Sequence, residues 1–82
     1  MKVQNLNQAK NQFIITADNG TRFFQSYNSI ICKIEREKVT LDQRFWDYST
    51  TTSKYRNMFL NETKKETEAK IQAGIYLLAD LN

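Results

Sequence analysis

The sequence contains no histidine, no proline, one cysteine and two glycines among its 82 residues. Without histidine, the usual zinc sites, the Ser-His and Cys-His nucleophile systems and imidazole bases are all excluded. Two isolated glycines cannot form a glycine-rich phosphate loop. The single Cys32 cannot form an internal disulfide, which fits a reducing cytoplasm. These absences predict a protein that is not an enzyme, with no metal site and no cofactor.

Carboxylates are the remaining candidates for acid/base chemistry, and Asp42 and Asp47 are close enough in sequence to be considered as a pair. Asp42 follows a predicted strand, where aspartate commonly forms a turn. Asp47 precedes a run of hydroxyl residues, where it can cap a helix or bind those hydroxyls. We therefore interpret both carboxylates as structural.

Length, charge and hydropathy also limit the function classes. Eighty-two residues suffice for one small domain, whose modest core makes either a monomer or a homodimer reasonable. No apolar run approaches the ~18 residues of a membrane-spanning helix, so we expect a cytoplasmic protein without a membrane partner. The net charge of +3 is small for a strong nucleic-acid binder.

Aromatic and β-branched runs at 13–17 and 21–27 predict a hairpin whose turn is 18–20. Two turns are possible here. One is a three-residue loop with Gly20 in the left-handed conformation, and the other is a two-residue Asn19-Gly20 turn, which shifts the strand register by one residue. Residues 1–11 are polar and amide-rich, which indicates a loosely held N-terminal arm or an edge strand. Residues 35–38 form a charged turn, and the chain returns as a short fourth strand.

The third predicted strand alternates, with Ile30, Cys32 and Ile34 on one face. The other face is expected to be wet, and Ile31 is the one apolar residue out of place there. We therefore expect Cys32 to be a small buried hydrophobe. Ile31 becomes a candidate partner contact.

Two helices are expected to follow the strands. Hydroxyl residues 49–53 can cap the first, whose buried face is predicted from the spacing of Tyr55, Met58 and Phe59. A capping box at Thr63 opens the second, in which Gly74 would mark a close approach to the sheet. The sequence thus predicts one α+β domain over 1–82, with a small antiparallel sheet of three to four strands at about 13–41 and two helices at about 52–60 and 64–79 packed on one face.

The segment 46–56 combines the only tryptophan, two tyrosines and two basic residues, which are residue types enriched at binding hot spots. Its alternative interpretation is structural, with Trp46 and Tyr55 filling a small core while the hydroxyls cap a helix. The candidate partner-binding residues are Trp46, Asp47, Tyr48, Lys54 and Arg56, together with Ile31. If this segment is a binding surface, its polar members should be at least partly exposed.

The string WDYSTTTSKYRNMFL, preceded by SYNSIICKIE, resembles a group of small uncharacterised proteins of phages, plasmids and other mobile elements of low-GC Gram-positive bacteria, which share a W-D-Y-S-x-T-T-x-K motif. The resemblance covers roughly residues 25–60, and Cys32 stands where alanine is more usual. It implies a mobile-element origin and a compact fold. Small genes of this kind often encode anti-defence proteins, including anti-CRISPR proteins.

Two functional hypotheses follow. The first is a non-catalytic phage or mobile-element protein that binds and inhibits a host defence machine, with a CRISPR-Cas effector such as Cas9 as the partner protein. The alternative is a small basic nucleic-acid-binding accessory protein of phage replication or transcription. The salt dependence of binding distinguishes the two hypotheses, because the electrostatic affinity for a nucleic acid falls steeply as the salt concentration rises.

Overall fold

The computed structural model describes all residues, 1–82, and contains six strands and two helices. The strands are β1 (Lys2–Asn5), β2 (Gln12–Thr16), β3 (Arg22–Ser26), β4 (Ser29–Glu35), β5 (Lys38–Asp42) and β6 (Leu77–Ala79). The helices, α1 (Thr50–Leu60) and α2 (Lys64–Gln72), lie between β5 and β6 in the chain. A short 3₁₀ turn, Leu6–Gln8, joins β1 to β2.

The six strands form one mixed sheet in the order β1-β2-β3-β4-β5-β6. All neighbouring pairs are antiparallel except β5 and β6, which are parallel. The prediction of a three- to four-stranded antiparallel sheet is therefore wrong, although the class remains α+β. The two extra strands lie at the edges of the sheet. β1 confirms the edge-strand alternative for residues 1–11, and β6 is held by pairing with β5.

The turns that join the central strands have the conformations that their own residues predict. Thr16 pairs with Arg22, and Ala17 donates to the Thr21 carbonyl at 2.8 Å, which leaves a three-residue loop. Gly20 adopts φ +92° in this loop, so the three-residue alternative is confirmed. The charged turn between β4 and β5 is also confirmed, with Arg36 and Glu37 both at positive φ.

The second helix is shorter than predicted. Its capping box is confirmed, because the Thr63 hydroxyl accepts from the Glu66 N–H and the Glu66 carboxylate accepts from the Thr63 N–H. The helix ends at Gln72, and Gly74 follows with φ +77° and open space around its Cα. Gly74 therefore terminates the helix instead of marking a close approach, and residues 77–79 form β6.

The two faces of the sheet have different surroundings. Phe24 of β3 stacks on Phe59 of α1 with ring centroids 5.8 Å apart, so this face is covered by the helices. The buried apolar residues are Phe24, Ile31, Cys32, Val39, Leu41, Phe59 and Tyr76. Side chains alternate along a strand, so the opposite surface, which we call the open face, carries Val3, Phe13, Ile15, Phe23 and Ile30.

Ile31 lies in the core, with 1% of its surface exposed, so its predicted place on a wet face is wrong. The register explains the error. Phe24 pairs with Cys32 whereas Gln25 pairs with Ile30, which leaves Ile31 opposite no residue of β3. A bulge of this kind interrupts the alternation of side chains, and Ile31 and Cys32 are both buried. The burial of Cys32 was predicted correctly.

Candidate partner-binding site

A cleft of about 390 Å³ lies where the β3–β4 turn meets the start of α1. Its volume falls within the range of about 300–1,000 Å³ typical of ligand sites in proteins. The residues that line it are Ser26, Tyr27, Asn28, Ser29, Ile31, Phe45, Tyr48 and Thr52. None of them carries a charge. Half are apolar or aromatic, so the cleft suits a neutral group.

Two aromatic residues of the 43–49 loop form one wall. Phe45 and Tyr48 meet edge to face, with ring centroids 5.6 Å apart. Tyr48 is 69% exposed, and Tyr27, on the opposite turn, is 55% exposed. Tyr27 adopts φ +55°, a conformation that a bulky residue rarely takes. Exposed tyrosines of this kind offer a large contact area together with a hydroxyl group.

The floor of the cleft is apolar and hydroxylic. Ile31 supplies the apolar part, and the hydroxyls of Ser26 and Thr52 lie 3.2 Å apart in a buried hydrogen bond. Gln12 is the β2 residue opposite Ser26, and its buried side-chain oxygen has no hydrogen-bond partner. Buried polar atoms are normally paired, so an unpaired oxygen next to the cleft floor is an unusual feature.

Arg56 holds the loop that carries the aromatic wall. Its side chain is fully buried, and its guanidinium lies 5.2 Å from the centre of the Trp46 ring. The guanidinium also donates to the Trp46 carbonyl oxygen and, at 3.0 Å, to the Asn57 side chain. Burial lowers the pKa of Arg56, which Asp47 opposes. Arginine remains charged at neutral pH in either case.

Asp47 joins this loop to both helices. Its carboxylate lies 3.6 Å from Arg56 and 2.8 Å from the ammonium of Lys64, and it accepts a hydrogen bond from Ser53. Partial burial disfavours the charged form, but the bonds from Lys64 and Ser53 and the charge of Arg56 outweigh it. The pKa of Asp47 therefore lies below its usual range. The carboxylate acts as a bridge between α1 and α2.

Ser49 completes the support of the loop. Its side chain accepts a hydrogen bond from the Thr52 N–H, which makes it the N-cap of α1. Thr52, Arg56 and Phe59 are the buried residues of this helix and follow one another at i, i+4 and i+7. The predicted buried face of Tyr55, Met58 and Phe59 is wrong in part, because Met58 is 42% exposed.

The rotation of α1 also corrects the prediction for Arg56. This residue was expected to reach solvent as a partner contact, but its side chain has no exposed surface. The helix turns Arg56 inwards, where the guanidinium meets a ring, a carbonyl oxygen and a carboxylate. These contacts offset much of the cost of burial, although the Arg56 Nε has no hydrogen-bond partner. A fully buried side chain cannot contact a partner directly.

The other predicted site residues have separate positions. Tyr48 is exposed at the cleft. Trp46 is half-buried, with its ring against the Arg56 guanidinium, and packs against the core. Lys54 is exposed on α1 and lies over the Tyr55 ring at 5.4 Å. Ile31 reaches the cleft only as its floor.

Of the eight cleft residues, sequence reasoning selected only Ile31 and Tyr48 and missed the other six, among them Tyr27, Asn28 and Phe45. Tyr27 and Asn28 form a tight turn between two strands, and a polar turn gives no sign of what lies beside it. Phe45 belongs to the aromatic run 45–48, which could have drawn attention to it. Only the contact between this loop and the β3–β4 turn makes these residues one site.

A second cluster of titratable groups lies away from the cleft, around Glu62. Its carboxylate accepts hydrogen bonds from Lys70 and Tyr76, each at 2.7 Å, and from Thr67. Burial opposes the charged form, but these bonds outweigh it and hold the pKa of Glu62 below its usual range. Burial and the neighbouring carboxylate raise the pKa of Tyr76. All the members are satisfied by one another, so this cluster fastens α2 to the segment before β6.

Two further observations concern metal ions and membranes. No group of three or more Cys, Asp or Glu side chains is placed to hold a metal ion. None of the helices has the length and apolar character needed to cross a bilayer.

Comparison with known proteins gives one match. Residues 1–74 match the model of a family described as a family of unknown function, DUF8033. No curated protein and no solved structure matches the chain.

Proposed function

The chain belongs to DUF8033, a family of unknown function, and we propose that it is a non-catalytic protein of a phage or other mobile element that binds and inhibits a host defence machine. We propose a CRISPR-Cas effector such as Cas9 as the target, in the cytoplasm of the infected bacterium. The W-D-Y-S-x-T-T-x-K resemblance supports the origin. The cleft beside Tyr48 supports the binding role, because an uncharged site with exposed tyrosines suits a protein partner.

The bonding of the carboxylates supports a non-catalytic role. Asp42, Asp47 and Glu62 each accept several hydrogen bonds, and each has a pKa below its usual range. A general acid needs the opposite shift, so that it keeps its proton near neutral pH, and a lowered pKa also makes a carboxylate a weaker general base. These groups are therefore arranged for holding the fold together.

The neutral cleft favours a protein over a nucleic acid as the partner. A nucleic-acid site needs cations placed to meet phosphates. The eight cleft residues include none. We propose that an apolar or aromatic side chain of a partner protein enters this cleft and contacts Tyr27 and Tyr48, its two exposed aromatic residues.

A plasmid-interference assay tests the proposal. Host strains with different active CRISPR-Cas systems receive a targeted plasmid, with the gene for this protein expressed or absent. We expect the gene to restore plasmid uptake in at least one strain, and Tyr48→Ala to reduce that protection. Met58→Ala is the matched control, because Met58 is an exposed apolar residue of α1 outside the cleft. No protection in any strain would contradict the proposal.

Purified components then give the affinity. For the effector from the protected strain, Tyr48→Ala should weaken binding by about 1–3 kcal/mol, the usual cost of truncating an aromatic hot spot. The unfolding midpoint of this variant should stay unchanged, because Tyr48 is 69% exposed. The binding constant should also vary little with salt. A steep loss of affinity for an oligonucleotide as salt rises, without effector binding, would favour the nucleic-acid alternative.

A further inference from the structure

The open face lies on the opposite side of the sheet from the helices. Val3, Ile15 and Phe23 occupy directly paired positions on β1, β2 and β3, which places them in one row. A second row runs from Phe13 through Gln25 to Ile30. None of these apolar side chains belongs to the buried core or packs against it.

An open face of this composition is unusual for a protein surface. Where one side of a sheet faces water, its outward residues are normally polar. Here the four strands β1 to β4 present two phenylalanines, two isoleucines and a valine, and Val3 is 58% exposed. Phe13, Ile15, Phe23 and Ile30 are each partly exposed. A contiguous apolar patch of this kind marks a surface that associates with another molecule.

The charges on the open face indicate which kind of molecule associates with it. The open-face positions of β1, β2 and β3 carry no charged side chain. Lys33 and Glu35 on β4 lie 3.8 Å apart and neutralise each other, and Lys38 is the β5 residue paired with Glu35. The surface is thus close to neutral in a chain of net charge +3. A polyanion would find few cations here, whereas a second copy would meet little repulsion.

The size of the sheet sets the strength of such an association. Six strands about 4.8 Å apart, each about five residues long, give a face of about 24 by 17 Å. Packed face to face, two such surfaces bury about 800 Å² or somewhat more in total, which is below the roughly 1,200 Å² of a stable interface and in the range of weak, transient ones. A contact of this area is expected to be reversible and weak.

We propose that the open face is the interface of a homodimer, in which two copies of this chain pack their sheets face to face. The same residues meet on both sides of a twofold axis, and the sheets lie about 10 Å apart as in a β-sandwich. Phe13 and Phe23 of each copy then lose contact with water. The cleft, which is built from the helix side, remains free, so the dimer carries two clefts.

Sedimentation velocity over a range from a few micromolar to several hundred micromolar tests this interface. We expect the weight-average mass to rise with concentration from that of one chain towards twice that value. Phe23→Lys should weaken the dimer at least tenfold. The matched control is Ile75→Lys, which makes the same kind of change at a residue that is 65% exposed before β6.

Val3→Lys gives a second test that does not depend on Phe23. Val3 lies on an edge strand and is 58% exposed, so its replacement should leave circular dichroism and the unfolding midpoint unchanged. We expect this variant to be a monomer at concentrations where the control is a dimer. A wild-type chain that stays monomeric throughout would overturn the proposal, as would a dimer that both open-face variants leave intact, which would instead indicate pairing of sheet edges.

Discussion

Arg56 is the residue whose environment most affects the candidate site. It contacts the Trp46 ring, the Trp46 carbonyl and the Asp47 carboxylate, so one buried cation fixes the loop that carries Tyr48. These partners are needed because a buried charge without them would strongly destabilise the fold. Arg56 therefore acts on the cleft indirectly, by positioning the aromatic wall.

We expect Arg56→Ala to lower the free energy of unfolding by about 3 kcal/mol, because it leaves a cavity and removes the partner of a carbonyl and a carboxylate. Urea denaturation measures the change. Lys54→Ala is the control, since Lys54 is exposed on the same helix, and it should change stability by less than about 0.5 kcal/mol. Equal midpoints for the two variants would show that the buried contacts of Arg56 contribute little.

At the scale of secondary structure elements, Gly74 decides where α2 ends. It lies two residues after the last helical residue and adopts φ +77°. A residue in the left-handed conformation here ends the helix and turns the chain towards β6, whereas a longer helix would leave no residues for that strand.

Gly74→Ala should destabilise the protein by about 1 kcal/mol, because alanine is strained at positive φ. No neighbouring atom lies within 4 Å of the added carbon, so the cost comes from the backbone alone. Thermal and urea unfolding measure it, and Ala73→Gly, at the C-cap position just before Gly74, is the companion variant. A stabilised Gly74→Ala would indicate that α2 extends beyond Gln72 in solution.

Asp42, at the end of β5, accepts hydrogen bonds from the loop that follows it and from residues 81–82. Its ionisation should make the stability of the protein depend on pH. Burial disfavours the carboxylate, but hydrogen bonds from Leu81, Asn82, Phe45 and Arg44 outweigh it, and the pKa lies below its usual value. A depressed folded-state pKa stabilises the native state above the unfolded pKa of about 3.9. This contribution is lost as pH falls through the lower folded value.

We therefore expect the free energy of unfolding to decrease as pH is lowered from about 5 towards 2. Asp42→Asn should be less stable at pH 7 and should show a smaller decrease over the same range. Denaturant titrations at several pH values compare the two proteins. Parallel curves for wild type and variant would mean that Asp42 does not titrate differently in the folded and unfolded chains.

At the scale of the whole molecule, Asn82 links the neighbouring strands β4 and β5. The Asn82 side chain accepts from the Ile30 N–H at 2.7 Å and donates to the Ile30 carbonyl at 2.9 Å. It also donates to Asp42 at 2.9 Å. One amide thus links the start of β4 to the end of β5.

Asn82→Ala should lower the free energy of unfolding by about 1–3 kcal/mol, because three hydrogen bonds of about 1 kcal/mol each are removed and water replaces some of them. Chemical denaturation gives the value, and amide exchange at Ile30 should accelerate. Gln72→Ala, an exposed change in α2, is the control. Unchanged exchange at Ile30 would contradict the proposed role of Asn82.

Local signals in the sequence determined much of the fold and part of the site. The loop closed by Gly20, the charged turn at Arg36 and the capping box at Thr63 were all predicted, because each depends on residues within a few positions of one another. The burial of Cys32 was predicted from the alternation of its strand. Tyr48 and Lys54 are exposed, as the binding-surface interpretation of 46–56 requires, whereas Arg56 is not.

The tertiary structure decided the rest, because those features depend on contacts between residues far apart in the chain. The bulge that buries Ile31 exists only in the register of β4 against β3. Arg56 turns inwards only because Trp46 and Asp47 fold back against α1. The strand Leu77–Ala79 forms because β5 offers a free edge, on which pairing outweighs the helical pattern of its side chains.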